Sequence, residues 1–205
     1  MLTLYVGSKR YSSWSLRAYL VLTHAGASFE TKTIVLDQPT TRGELAKVTP
    51  AGRVPVLVHD GLTIWDSLAI SEYAHELFPQ ARLWPEERAR RARARSISAE
   101  MHSGFAALRN AMPMDLGADR AGQGHTDEAL ADARRVQEIW REALAASGGP
   151  FLFGAFTIAD AMFAPVTTRL VTYGVELDAT SRTYVDAIAA VPAMQAWRED
   201  AAREP

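Results

Sequence analysis

The chain of 205 residues contains no cysteine, which removes disulfides, thiolate metal ligands and cysteine nucleophiles together. Any thiol chemistry must use a sulfur brought by a ligand. Net charge is nearly absent as well: 22 basic against 24 acidic side chains leave a formal charge of -2, too small a field to gather nucleic acid or an anionic membrane. No apolar run approaches the ~20 residues needed to cross a bilayer, and the chain opens on an alternating segment without the basic, apolar and small-residue order of an export signal. A cytoplasmic protein with a small-molecule partner is expected, binding neither nucleic acid nor membrane. His24, His59 and His75 are scattered without metal-ligand spacing, so no metal site is expected. Internal repeats are also missing. The one biased tract, "ERARRARARS" (87–96), puts Arg88, Arg91 and Arg95 on one helical face, but Glu86, Glu87 and Glu100 dilute it, and it reads as a solvated helix.

What is present is a 48% hydrophobic chain with 13 glycines and 10 prolines, enough for one or two small domains. "LTLYV" (2–6) alternates as a strand, and Leu16, Tyr19, Leu20 and Thr23 then recur at helical spacing until Gly26 stops them. "FETKTIVL" (29–36) reads as a second strand and "TTRGELAKV" (40–48) as a short helix. "VPVLVHDGLTIW" (54–65) reads as two strands turning at Asp60-Gly61, and "DSLAISEYAHELF" (66–78) as a helix. The order βαβα then ββα predicts a small α/β sheet with helices on both faces, over residues 1–80. "FPQARLWPEER" (78–88), with two prolines, reads as a linker. Residues 87–205 are predicted all-helical. Ile97, Met101, Phe105, Leu108 and Met112 form one stripe, and Leu130, Ala133, Val136, Trp140 and Leu144 another. "TIADAMFAPV" (157–166), apolar nearly all round, is expected at the centre.

Three short stretches of the first half carry candidate chemistry. "YSSWSLR" (11–17) sets Ser12 and Ser13 at a helix start, where unpaired N–H groups and the helix dipole favour an anion. A serine hydroxyl there would stabilise a thiolate by donating to it, or would simply cap the helix. "GRVPVL" (52–57) puts Pro55 at a strand entrance, either as a plain strand start or as a cis bond that turns the main chain of Val54 toward an extended ligand. "WDSLAISEY" (65–73) opens a helix on Asp66 and Ser67. These suit an α-amino acid: N–H groups and the Ser67 hydroxyl for its carboxylate, Asp66 for its ammonium.

In chain order these motifs resemble the glutathione-binding half of the cytosolic glutathione transferases, and "FTIADAMFAP" (156–165) resembles the capping-box helix of their second half. "SSWSLRAYL" is similar to the serine signature of the zeta class, which includes maleylacetoacetate isomerases. The resemblance implies a thioredoxin-like domain followed by an all-helical domain, a homodimer, and glutathione as co-substrate. It implies Ser12 facing the glutathione sulfur with Ser13 as second candidate, Val54 pairing with the cysteinyl unit ahead of a cis Pro55, Asp66 and Ser67 at the γ-glutamyl end, and Arg53 near the glycyl carboxylate. Thr157 and Asp160 would form a structural capping box. Family members hold the electrophile between the serine loop and the helix after the linker, so Trp14, Met101, Phe105, Met112 and Met114 are pocket candidates. The chain departs from the zeta signature in having Trp14 for its cysteine and Tyr19 for its second arginine, while Arg17 matches the first. The expected activity is therefore glutathione transfer to a small electrophile. A glutathione-dependent cis-trans isomerase and a non-enzymatic scaffold of the same fold are the alternatives.

Overall fold

The computed structural model describes residues 1–204. Four strands, β1 (Leu2–Val6), β2 (Phe29–Thr33), β3 (Val56–His59) and β4 (Leu62–Trp65), form one mixed sheet in the order β2-β1-β3-β4. β1 pairs parallel to β2, with Leu2 opposite Phe29, and antiparallel to β3, with Leu4 opposite Leu57. As the inner strand it buries Leu2, Leu4 and Val6, and so lacks a polar side chain at those positions. The turn between β3 and β4 is the one expected at Asp60-Gly61. Both residues have positive φ, 48° and 87°, the pairing that a tight two-residue hairpin requires.

Three helices accompany the sheet: α1 (Ser13–His24), α2 (Thr41–Ala46) and α3 (Ser67–Leu77). α1 is buried nearly all round because it packs on α3 and also on two helices of the second half, α7 (Ile158–Thr172) and α9 (Pro192–Arg203). Leu16, Leu20, Val21 and Leu22 are at most 1% exposed. An N-terminal thioredoxin-like domain thus joins an all-helical domain, as the resemblance implies.

The second half also contains α4 (Arg88–Ser103), α5 (Ala106–Ala111), α6 (Asp127–Ser147) and α8 (Ala179–Ala189). The expected continuous stripe from Ile97 to Met112 is broken, because α4 ends at Gly104, where a Cβ would fall 2.8 Å from the Glu100 carbonyl oxygen, and Phe105 takes a left-handed φ of 59°. All five stripe residues remain in the core, since the chain turns at Phe105 and re-enters as α5. The arginine tract on α4 is tied down within the molecule. Arg90 donates to the Phe153 carbonyl, Arg91 to those of Pro85 and Glu86, Arg93 pairs with Glu142 and Arg95 with Glu72. Among the described residues no helix is long and apolar enough to cross a membrane.

The loop between β1 and α1 is held by the second half. The Lys9 ammonium pairs with Asp200, the Lys9 carbonyl accepts from the Trp197 indole at 2.9 Å, and Arg10 meets the buried carboxylate of Asp115 at 2.6 Å. Arg120 holds the other oxygen of Asp115 at 2.6 Å. Burial alone would raise this carboxyl, but the two guanidiniums keep it below its ordinary range.

α7 starts on a complete capping box. Asp160 accepts from the Thr157 N–H at 2.8 Å and hydroxyl at 3.0 Å, and additionally from the Leu152 N–H at 3.0 Å and the Tyr184 hydroxyl at 3.2 Å. Full burial nevertheless pushes its carboxyl up to about 6 from an ordinary 3.8. Between those values the folded chain keeps a proton that the unfolded chain releases, so this group's contribution to stability falls as pH rises through that window. Denaturant unfolding of wild type and Asp160→Asn should show it: the stability difference between them is expected to shrink by up to about 3 kcal/mol from pH 3.5 to 7. A difference that does not change with pH would mean that Asp160 titrates alike in the folded and unfolded chain.

Candidate active site

A cleft of about 530 Å³ opens where four segments meet. Trp14 comes from the first turn of α1, and Arg53, Val54 and Pro55 from the turn into β3. Trp65, Asp66 and Ser67 come from the β4–α3 corner, and His102 from the end of α4. The Val54–Pro55 bond is cis. Val54 makes no main-chain hydrogen bond among the described residues, so its N–H and C=O are available at the rim.

The corner at Asp66 is built around a φ of 77°, which turns the chain sharply from β4 into α3. Its carboxylate caps α3 through Oδ1, accepting from the N–H groups of Leu68 at 2.8 Å and Ala69 at 3.3 Å. Oδ2 faces His102 Nε2 at 3.0 Å. Burial opposes ionisation of Asp66, but the imidazole and the two N–H groups outweigh it and its carboxyl lies below the ordinary range. Ser67, 1% exposed, has a hydroxyl with no partner among the described residues. A buried hydroxyl beside a cleft and at a helix N-terminus is normally satisfied, so here it stands ready for a ligand atom.

The serine pair is organised differently from a capped helix, and neither side chain caps α1. The Ser12 and Ser15 hydroxyls share a hydrogen bond of 2.7 Å, and Ser15 Oγ also accepts from the Gly7 N–H at 3.0 Å. Gly7 permits the close approach, since a Cβ there would lie 3.1 Å from that of Ser12. Ser13 Oγ accepts from Arg169 Nη2 at 3.0 Å. Ser12 and Ser13 are 6% and 7% exposed, immediately before the cleft residue Trp14.

Around them lies a concentration of positive charge. The guanidinium carbons of Arg17 and Arg109 sit 4.4 and 4.5 Å from the centre of the Trp14 indole, and the His102 ring meets that indole edge-on at 5.1 Å. Arg169, near the end of α7, donates to the carbonyls of Met112 at 2.8 Å and Arg109 at 3.3 Å. No carboxylate forms an ion pair with Arg17, Arg109 or Arg169 among the described residues, and Arg17 Nε and Nη1 have no partner. Burial first, then the mutual repulsion of the cations, holds Arg17 well below the ordinary range and brings Arg169 down to about 10. Buried cations normally pair.

The cleft therefore gathers Trp14, Arg53, Val54, Pro55, Asp66 and Ser67, whereas Ser12 and Ser13, next to Trp14 in the chain, do not line it. Met101, Phe105, Met112 and Met114 do not line it. They are core residues, at most 8% exposed, because the apolar face of α4 and α5 is used to pack the helical domain. His102, which carried no candidate role, is a cleft residue from the end of α4, and Arg109 stands on α5. Arg169 and Ser15 had no assigned role. A lone arginine late in an otherwise apolar helix was the available signal for the first.

Residues 11–77 match the family described as glutathione S-transferase, N-terminal domain, and residues 123–200 its C-terminal domain. The chain has both halves and belongs to the glutathione S-transferase family. A glutathione transferase homologue from Burkholderia gl BGR1, solved with bound glutathione, is 28% identical with a TM-score of 0.78, covering 99% of both chains. Among curated proteins, a probable maleylacetoacetate isomerase of Caenorhabditis elegans is 37% identical over 105 residues, 51% of this chain and 49% of that protein. Glutathione S-transferase 1 of Dianthus caryophyllus is 40% identical over 90 residues, 43% of this chain and 40% of that protein. The matched stretch thus spans about half or less of the length of these curated relatives.

Asp66→Ala is expected to cost about 1–2 kcal/mol in urea unfolding, because α3 loses its cap while the strained φ stays. An unchanged midpoint would mean that the corner is held by other contacts.

Proposed function

We infer that the protein is a glutathione transferase of serine type, with residues 1–80 binding glutathione and residues 87–205 covering the electrophile. The observation that carries this reading is the unpartnered Ser67 hydroxyl next to the Asp66 carboxylate in one cleft with the free main chain of Val54. An α-amino acid end and an extended peptide unit need those groups. In this reading Asp66 takes the γ-glutamyl ammonium, while Ser67 and the start of α3 take its carboxylate. Val54 pairs with the cysteinyl unit as an added strand would, and Arg53 approaches the glycyl carboxylate. Ser12 or Ser13 then donates to the sulfur.

The serine is a hydrogen-bond donor and not a nucleophile, since no base is bonded to either hydroxyl. Donation to the sulfur, together with the positive surroundings, stabilises thiolate over thiol and lowers a free thiol value of about 8.5 by roughly one to two pH units. The thiolate then attacks an electrophile held beside Trp14. A homodimer in the cytoplasm completes the proposal.

A second reading has an observation of its own. The loss of the zeta-type second arginine at Tyr19 is offset by Arg109 and Arg169, which together with Arg17 would suit an acidic substrate for isomerisation. Mass balance separates the readings, because conjugation consumes glutathione and isomerisation returns it. A scaffold would retain glutathione with no turnover in wild type or Ser12→Ala.

The test is an ultraviolet titration of the bound thiolate. Wild type is expected to titrate near neutrality, and one of the two variants Ser12→Ala and Ser13→Ala, whichever removes the donor, to move the midpoint up by about one pH unit, with conjugation slowed about tenfold below it. Bound glutathione that titrates as it does in buffer would overturn the reading.

A further inference from the structure

A serine that faces a sulfur is a useful donor only if its hydroxyl hydrogen points there. Serine carries one O–H and two lone pairs, so the orientation of that hydrogen follows from what else the oxygen touches. For Ser12 the partner is another hydroxyl, Ser15 Oγ at 2.7 Å, and either atom can be the donor. Its hydrogen is therefore not fixed.

Ser13 is different. Its partner is the Arg169 guanidinium, at 3.0 Å, which can only donate. The contact occupies a lone pair of Ser13 Oγ and leaves the hydroxyl hydrogen directed away from Arg169. No acceptor for that hydrogen exists among the described residues. A charge-assisted bond into the oxygen also draws electron density from the O–H and makes it a stronger donor.

Arg169 is itself held rigidly. It is 7% exposed, and its Nη1 is fixed by the carbonyls of Met112 and Arg109 while Nη2 reaches Ser13. It has no carboxylate to neutralise it. The charged and titratable groups around it are Arg109 on α5, Arg17 on α1 and Tyr173 at the end of α7, with Asp66 and His102 beyond Trp14 on the cleft side. Asp66 is occupied by His102 and the N–H groups of α3. The balance of charge behind Ser13 is positive.

Resting on the functional reading above, we propose that Arg169 is the positioning residue for thiol ionisation: it aims the Ser13 hydroxyl at the glutathione sulfur and places a buried positive charge behind it. Ser13, and not Ser12, is then the hydroxyl that sets the acidity of the thiol, and the proton leaves to solvent. Ser12 serves the Gly7–Ser15 connection that shapes the loop.

The experiment compares the titration midpoint of bound glutathione in wild type, Arg169→Lys, Arg169→Met, Ser13→Ala and the Arg169→Met/Ser13→Ala double variant, with glutathione affinity measured alongside. Arg169→Met is expected to raise the midpoint by about one pH unit, about a tenfold loss of thiolate below it, with affinity for S-methylglutathione changed less than threefold. Arg169→Lys keeps a charge but lacks the planar fork that reaches the two carbonyls and Ser13 from separate nitrogens, and is expected to raise the midpoint by about half as much. It also keeps the test open if the methionine variant does not fold. In the Ser13→Ala background Arg169→Met is expected to shift the midpoint less than half as far, since only the charge and not the aimed donor remains to be lost. A purely structural arginine would instead lower affinity for glutathione and S-methylglutathione together and leave the midpoint in place. The proposal is overturned by an unmoved midpoint in Arg169→Lys or Arg169→Met, or by an equal shift with and without Ser13. A lowered wild-type midpoint with unmoved variants would overturn this proposal alone, whereas a wild-type midpoint equal to that of free glutathione would overturn the functional reading beneath it.

Discussion

The burial of α1 between two domains is the constraint on which the site depends. A helix that packs on α3 and also on α7 and α9 has no solvated face to spare, so the polar residues on it must find partners inside the protein or in a ligand. Ser15 finds Gly7 and Ser12, Ser13 finds Arg169, and Arg17 finds the face of Trp14. What remains unsatisfied lies by the cleft. The chemistry of the site thus follows from how tightly its first helix is enclosed.

The same enclosure explains the concentration of cations. Three guanidiniums within reach of one indole and one serine repel one another, and the fold tolerates this because carbonyls at the ends of α4 and α5 absorb part of their hydrogen-bonding capacity. Arg109 takes the carbonyls of Met101 and His102, and Arg169 that of Met112. The break at Gly104 and Phe105 frees the Met101 and His102 carbonyls, and the end of α5 frees that of Met112. A local irregularity of the second domain therefore helps to hold charge at the first domain's site.

Much of the fold was legible in the sequence, for reasons that particular residues make plain. Asp60-Gly61 fixed a hairpin because both positions need positive φ, and the Thr157–Asp160 spacing announced a capping box. The stripe from Ile97 to Met112 misled in its continuity but not in its burial. Its periodicity ran across a helix break whose one signal was Gly104, and Phe105 is not a residue expected in a left-handed conformation. Its methionines and phenylalanine suited a core better than a pocket, and the core took them. Of the site, the residues near the sheet were readable because turn and cap chemistry is local. His102, Arg109 and Arg169 were not, because their roles are set by contacts that join distant parts of the chain.

The hold of α9 on the loop after β1 has a wider meaning. Lys9 is gripped by Trp197 and Asp200, some 190 positions away, and Arg10 by Asp115. The loop that presents the serines is in this sense a splint spanning the molecule, assembled from both extremities of the polypeptide. Its shape therefore rests on contacts made by the helical half as much as on its own sequence.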